Sequence, residues 1–182
     1  MKRVLIFGSN SNLAKKIKLL IDKKKYVLIL YSKKKIDFLK KNNSKMVSKI
    51  LSKENPDVIL NFAGVIGTNN DNYTDVYNVN FMPNWEIIKF YSKKLNNKKV
   101  KIIFIGSSSY KKGKKNYMLY SSSKAALHNL YQGAKEKFKK SNIEIIIFHP
   151  PRFRSKLLKN LKIQGRFKNV NIIAKDLLKK IK

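Results

Sequence analysis

The sequence has no cysteine, which excludes disulfide scaffolds, thiolate metal sites and cysteine nucleophiles. No apolar run approaches the ~18–20 residues of a membrane-spanning helix. Only four prolines and seven glycines occur in 182 residues, too few for a collagen-like or Pro/Gly-rich low-complexity chain. Acidic residues are scarce: ten Asp and Glu stand against 42 Lys and Arg, a net charge of +32. Arginine is scarce as well, at four of those 42. Nucleic-acid binders favour Arg for bidentate contacts to bases and phosphates, so no specific nucleic-acid partner is expected. The other 38 are Lys, beside 20 Asn and 21 Ile, all residues with A/T-rich codons, and a drift in base composition accounts for the excess without a ligand. A field this positive still steers anionic small molecules, phosphates above all, toward the surface.

What remains is the composition of a folded globule, 43% apolar and 11% aromatic. Its length fits one domain, residues 1–182. Met1-Lys2-Arg3 leads directly into a short apolar stretch, so a soluble, cytoplasmic protein without a membrane span is expected.

Short apolar runs alternate with segments of helical period. Val4 to Phe7, Tyr26 to Tyr31, Val58 to Leu60, Lys101 to Ile105 and Glu144 to Phe148 read as buried strands, with one more, very short, at Ile36-Asp37-Phe38. Helices are expected over 13–23, 44–53, 73–95 and 117–139, with a last amphipathic one from about Asn171. Strands alternating with helices make a Rossmann-like, doubly wound α/β fold with a parallel sheet. The C-terminal part, 156–182, shows no further strand. Trp85 is expected in the core, and His128 and His149, which lack metal-ligand spacing, are read as structural; no metal site is expected.

Open parallel sheets bind ligands beyond the carboxyl ends of their strands. After the first strand comes Gly8-Ser9-Asn10-Ser11-Asn12-Leu13-Ala14, a small polar turn opening a helix whose free N–H groups suit a pyrophosphate. Asn12 and Ala14 stand where a glycine-rich fingerprint has glycines; Asn tolerates positive φ and Ala permits close packing. Such a turn is equally often only a turn and an N-cap.

Tyr120 and Lys124 lie one helical turn apart, a spacing at which an ammonium lowers the pKa of a phenol and makes it a general acid. In a chain this rich in Lys, Tyr-x-x-x-Lys arises about twice by chance. It occurs four times, at Tyr31, Tyr110, Tyr120 and Tyr131, and only Tyr120 has a Ser thirteen residues earlier, Ser107, at an expected strand end.

Together, Asn61-Phe62-Ala63-Gly64, Asn78-Val79-Asn80, Ser107, Tyr120-x-x-x-Lys124 followed by Ala125-Ala126-Leu127, and His149-Pro150-Pro151 follow the order seen in short-chain dehydrogenase/reductases. The chain resembles that family over about residues 1–155. A narrower likeness, in the Ser107 to Gly113, Tyr120 to Ala126 and Asn129 to Ala134 segments, is to the reductase domain associated with ribitol-5-phosphate cytidylyltransferases, which reduces ribulose 5-phosphate with NADPH.

The resemblance implies roles. Tyr120 would donate a proton to the substrate carbonyl oxygen, Ser107 would hydrogen-bond that oxygen, Lys124 would hold the nicotinamide ribose, and Asn80 would support a water relaying protons to Lys124. Gly8, Ser9, Asn10 and Leu13 would line the pyrophosphate, and Asn61, Ala63 and Gly64 the adenosine. Asp37 would contact adenine, and Pro150 and Ser155 the nicotinamide end. Ser32 and Lys33 stand where an acid would select NAD, which favours NADP and leaves NAD open. Arg152 and Arg154 would clamp an anionic substrate or simply face water.

The expected activity is NADPH-dependent reduction of a sugar or sugar-phosphate carbonyl, for nucleotide-sugar or cell-surface polymer synthesis. A sugar-nucleotide epimerase or dehydratase, or a non-catalytic dinucleotide-binding module, are the alternatives. Pairing through the two long helices would give a homodimer by resemblance, against which the Lys on those helices repel, and the assembly state stays open.

Overall fold

The computed structural model describes residues 1–40, 42–67, 72–93, 98–158 and 165–182. Five aliphatic runs form the strands β1 (Lys2–Phe7), β2 (Tyr26–Tyr31), β3 (Val58–Asn61), β4 (Val100–Ile105) and β5 (Ile143–Phe148). All pair in parallel in one sheet of order β2-β1-β3-β4-β5, the doubly wound α/β architecture expected. The order reverses between β1 and β3, which opens a crevice there at the carboxyl edge.

Strand residues alternate between two cores because successive side chains point to opposite faces. Leu5, Phe7, Ile59, Ile102 and Phe104 face helices α2 (Met46–Glu54), α4 (Met82–Lys93) and α5 (Met118–Lys137). Val4, Ile6, Leu60 and Ile103 face α1 (Asn12–Leu20) and α6 (Val170–Ile181), whose Ile17, Ile173 and Leu177 are buried against them. Each such side chain taken fully out of water contributes about 1.5–3 kcal/mol, so the central strands anchor the fold.

Four expectations need correction. Ile36-Asp37-Phe38 is not a strand: the Asp37 carboxylate accepts the Leu39 N–H at 3.1 Å, and Ile36 N–H bonds to Ser32 carbonyl at 3.0 Å. These local turns occupy backbone groups that a ladder would need, while Ile36 and Phe38 are buried and Phe38 meets Phe7 edge-on at 5.8 Å. The expected helix over 73–95 is two, α3 (Tyr73–Asn80) and α4, broken at Phe81. Pro83 has no N–H for the Val79 carbonyl, so the chain restarts a helix there instead of continuing one. Residues 94 and 95 lie outside the described residues. The first helix ends at Leu20, before the turn that Asp22 closes by accepting the Lys24 N–H at 2.9 Å. Trp85 is 41% exposed, because Ile87, Ile88 and Tyr91 take the buried face of α4. No described helix is long and apolar enough to cross a membrane. Among the described residues no strand follows β5.

Candidate active site

Because every strand is parallel, the residues after β1, β3, β4 and β5 emerge along one edge, where they surround a cleft of about 460 Å³. Gly8 turns the chain out of β1 at φ +65°. A Cβ on it would run into the backbone N of Ala63 and come within 2.6 Å of the Phe62 carbonyl carbon, so only glycine lets the β1 and β3 turns approach this closely. Ser11 then caps α1, its Oγ accepting the Ala14 N–H at 3.2 Å. Asn10, Asn12 and Leu13 face the cleft, which puts the positive end of α1 there. Asn12 is helical and needs no positive φ; its amide oxygen accepts the Lys156 N–H at 3.3 Å and ties the segment after β5 to the start of α1.

At the other end of the cleft, Ser107 leaves β4 in extended conformation and caps the 3-10 turn Ser108–Tyr110, its Oγ accepting the Ser109 N–H at 3.2 Å. With that lone pair engaged, the Ser107 hydroxyl hydrogen-bonds the Tyr120 phenol. Tyr120 lies in the first turn of α5, and Lys124 one turn on. Lys124 is buried, its Nζ donating to the Ile105 carbonyl at 3.0 Å and standing 5.6 Å from the centre of the Tyr120 ring. A phenol and an amine from one helix and an alcohol from the turn after β4 thus converge on one wall of one cleft.

The electrostatics depart from the sequence expectation. Burial pushes the Tyr120 phenol above its usual pKa, the neighbouring Tyr117 adds to that, and the Ser107 hydrogen bond pulls the other way. The lowering expected from Lys124 is outweighed by that burial; Lys124 is itself desolvated and brought down to about 8. The arrangement keeps the phenol protonated at neutral pH, which is the form that gives a proton to a carbonyl oxygen.

Of the other residues singled out from sequence, Gly8, Asn10, Leu13, Lys33, Asp37, Ala63, Gly64, Pro150, Arg152 and Ser155 line the cleft. Lys33 pairs with Asp37 at 3.6 Å. Five are not in its lining. Ser9 is buried with its N–H on the Tyr31 carbonyl at 3.2 Å, and Ser32 accepts the turn N–H groups of Lys35 and Ile36. Asn61 is buried, its amide donating to Asn84 at 3.1 Å and accepting the Ala63 N–H at 3.0 Å. Arg154 is exposed and lies over the Phe167 ring at 5.8 Å. Asn80 is buried, and its NH2 group donates both to the Val65 carbonyl at 2.9 Å and to Ser123 Oγ at 3.0 Å, which leaves no side-chain donor for a relay water.

The family model described as short chain dehydrogenase matches residues 2–165. The chain belongs to the short-chain dehydrogenase family. Among solved structures, a short chain dehydrogenase family protein from Francisella tularensis is similar at TM-score 0.79 and 20% identity, over 98% of this chain and 90% of that one. A short chain dehydrogenase from Burkholderia cenocepacia, solved with NADP, matches at 0.79 and 15%, over 99% and 84%. The 3-alpha-hydroxysteroid dehydrogenase of a Pseudomonas species, solved with NADH, matches at 0.80 and 15%, over 97% and 88%. No curated protein matches in sequence.

Three features of this dehydrogenase escaped sequence reasoning. Tyr117 also lines the cleft, its ring 6.0 Å from that of Tyr120 and nearly perpendicular to it; the i, i+3 spacing at the start of α5 was the available signal. Lys114 and Lys156 line it too, indistinguishable in sequence from the many surface Lys. The third is the contact between His128 and His149, which has no signature because the residues belong to different elements.

Proposed function

We propose that this dehydrogenase is an NADPH-dependent reductase of a sugar or sugar-phosphate carbonyl, ribulose 5-phosphate included, serving nucleotide-sugar or cell-surface polymer synthesis. The observation that carries the reading is the Ser107–Tyr120 hydrogen bond above buried Lys124, facing the cleft. Tyr120 gives the proton to the carbonyl oxygen and Ser107 holds that oxygen as charge develops on it. Lys124 supplies the nearby positive charge and would hold the ribose of the cofactor.

The dinucleotide fits what the cleft offers: a glycine-only turn at Gly8, the start of α1 at Asn12 and Leu13, and Lys33 toward the adenosine end. When bound, the nicotinamide supplies the hydride. Lys33 binds the 2′-phosphate by leaving Asp37, which favours NADPH over NADH. Lys114, Arg152 and Lys156 also line the cleft and favour an anionic ligand such as a phosphate.

The test is a panel of phosphorylated ketoses, their unphosphorylated forms and nucleotide sugars, followed by NADPH absorbance. Oxidation of NADPH with a phosphorylated ketose in preference to its parent sugar is expected. Turnover with none of them, or equal turnover with and without the phosphate, overturns the substrate class. Lys33→Ala should weaken NADPH by about tenfold, the value of one charge-assisted contact, and leave NADH unchanged.

A further inference from the structure

Directly after β5, His149 sits against the turn that carries Ser107. Its Nδ1 lies 3.1 Å from the Ser107 N and 3.1 Å from the Ser107 carbonyl oxygen. Its Nε2 lies 3.2 Å from Nδ1 of His128, on α5 two turns below Tyr120. Tyr110, from the 3-10 turn after Ser107, stacks across both imidazoles with centroids at 4.1 and 4.2 Å. Gly106 leaves the room: a Cβ there would collide with His149 Nδ1 and come within 2.6 Å of Cε1.

One ring nitrogen cannot serve both Ser107 groups. As a lone pair it accepts the N–H; as N–H it donates to the carbonyl. The carbonyl already accepts the Tyr110 N–H at 3.3 Å, so the backbone is satisfied best when His149 Nδ1 accepts from Ser107. A neutral His149 then carries its proton on Nε2 and donates it to His128 Nδ1. Protonating His149 turns Nδ1 into a donor, and the Ser107 N–H loses its acceptor.

We propose that His149, with its tautomer held by His128, is a positioning residue that fixes the Ser107 peptide and thereby the aim of the Ser107 hydroxyl at Tyr120. The inference rests on the reading of Ser107 as the group that holds the substrate oxygen; the histidine chain itself does not. The groups facing the pair are Tyr110 and Lys111 from the turn after Ser107, and Lys124 and Tyr131 from α5. Burial depresses the His149 pKa, and His128, Lys124 and Lys111 depress it further, against the pull of the Ser107 backbone. A lowered pKa favours the neutral form of His149, in which Nδ1 keeps its lone pair for the Ser107 N–H.

The experiment follows the ring nitrogens of both histidines and the Ser107 amide by 15N NMR of the full chain across pH. The expected result is a neutral His149 protonated on Nε2, a Ser107 amide shift that titrates with the His149 midpoint, and a midpoint below that of a free imidazole. In His128→Phe, the Ser107 amide should shift while amides of β1 and β3 stay native; His128→Gln serves if the Phe variant does not fold. An Nδ1-protonated His149, or a Ser107 amide blind to both the titration and the His128 substitution, overturns the proposal. With a turned-over substrate, His128→Phe should lower kcat on the order of 10- to 100-fold at unchanged NADPH affinity, as expected for a displaced reacting-site contact. NMR coupling without that loss counts against the role of Ser107, not against the histidine chain.

Discussion

Asn80 takes both backbone hydrogen-bonding groups of Val65. Its Oδ1 accepts the Val65 N–H at 2.9 Å, and its Nδ2 donates to the Val65 carbonyl at 2.9 Å. The second proton of the same amide reaches Ser123 on α5, one residue before Lys124. One buried side chain at the end of α3 therefore staples the loop after β3 to the helix that carries Tyr120. A strand would have satisfied Val65 by pairing; here the amide stands in for a neighbouring strand.

Asn80→Ala removes the partner of both partly buried Val65 backbone groups and of the Ser123 hydroxyl, at a cost of about 1–3 kcal/mol. Urea denaturation should show that loss, together with weaker cofactor binding, because Gly64, Val65 and Ile66 line the cleft. A change in stability below about 0.5 kcal/mol means the staple is not holding the loop.

Tyr120→Phe removes one oxygen and keeps the ring, the packing on Tyr117 and the burial. Turnover should fall by about 10²–10⁴-fold, the usual worth of a positioned general acid. NADPH affinity, read by quenching of protein fluorescence, should change little. Turnover near that of the parent chain removes Tyr120 from the reaction.

Lys124→Met tests the cost of burying an ammonium. The Lys124 pKa is lowered from 10.5 to about 8, so between those values the unfolded chain binds more protons than the folded one and stability rises with pH. Below about pH 8 the full penalty applies, with an upper bound of about 3 kcal/mol. The Met variant should gain most at pH 7, and its advantage over the parent should shrink as pH approaches 10.5. Comparing the two chains cancels the titration of the other lysines. A difference in stability that does not vary with pH contradicts the depressed pKa. In the parent, loss of the Lys124 proton should also make reduction slow as pH rises through about 8.

Gly8→Ala forces a Cβ into the Ala63 backbone at a φ of +65°. Neither strand turn can yield without breaking the β1–β3 pairing, so a loss of about 2 kcal/mol or more is expected, larger than an ordinary Gly-to-Ala change at positive φ. Thermal unfolding and cofactor affinity both report it. Gly113→Ala, where an added Cβ meets nothing within 4 Å, is the matched control.

The strands were legible because a buried parallel strand writes itself as an unbroken aliphatic run, while their order in the sheet was given by the tertiary structure. Tyr120 could be picked from four matching pairs because Ser107 stands at a strand end, a fact of spacing alone. Where sequence reasoning failed, at Ile36 to Phe38 and at Phe81, a backbone group had more than one partner in reach. Propensity does not say which partner wins; the fold does, by bringing one of them close.

Local pattern thus determined the elements, their order along the chain and the wall on which Ser107, Tyr120 and Lys124 meet, since hydrophobic period and strand-end position are properties of neighbouring residues. Tertiary structure alone decided how those groups are charged and aimed. Burial sets the pKa of Tyr120 and Lys124, and the seating of His149 between Ser107 and His128 needs three segments, 42 and 21 residues from His149 in the two cases, to pack side by side. Desolvation and long-range hydrogen bonds exist only once the chain has closed on itself.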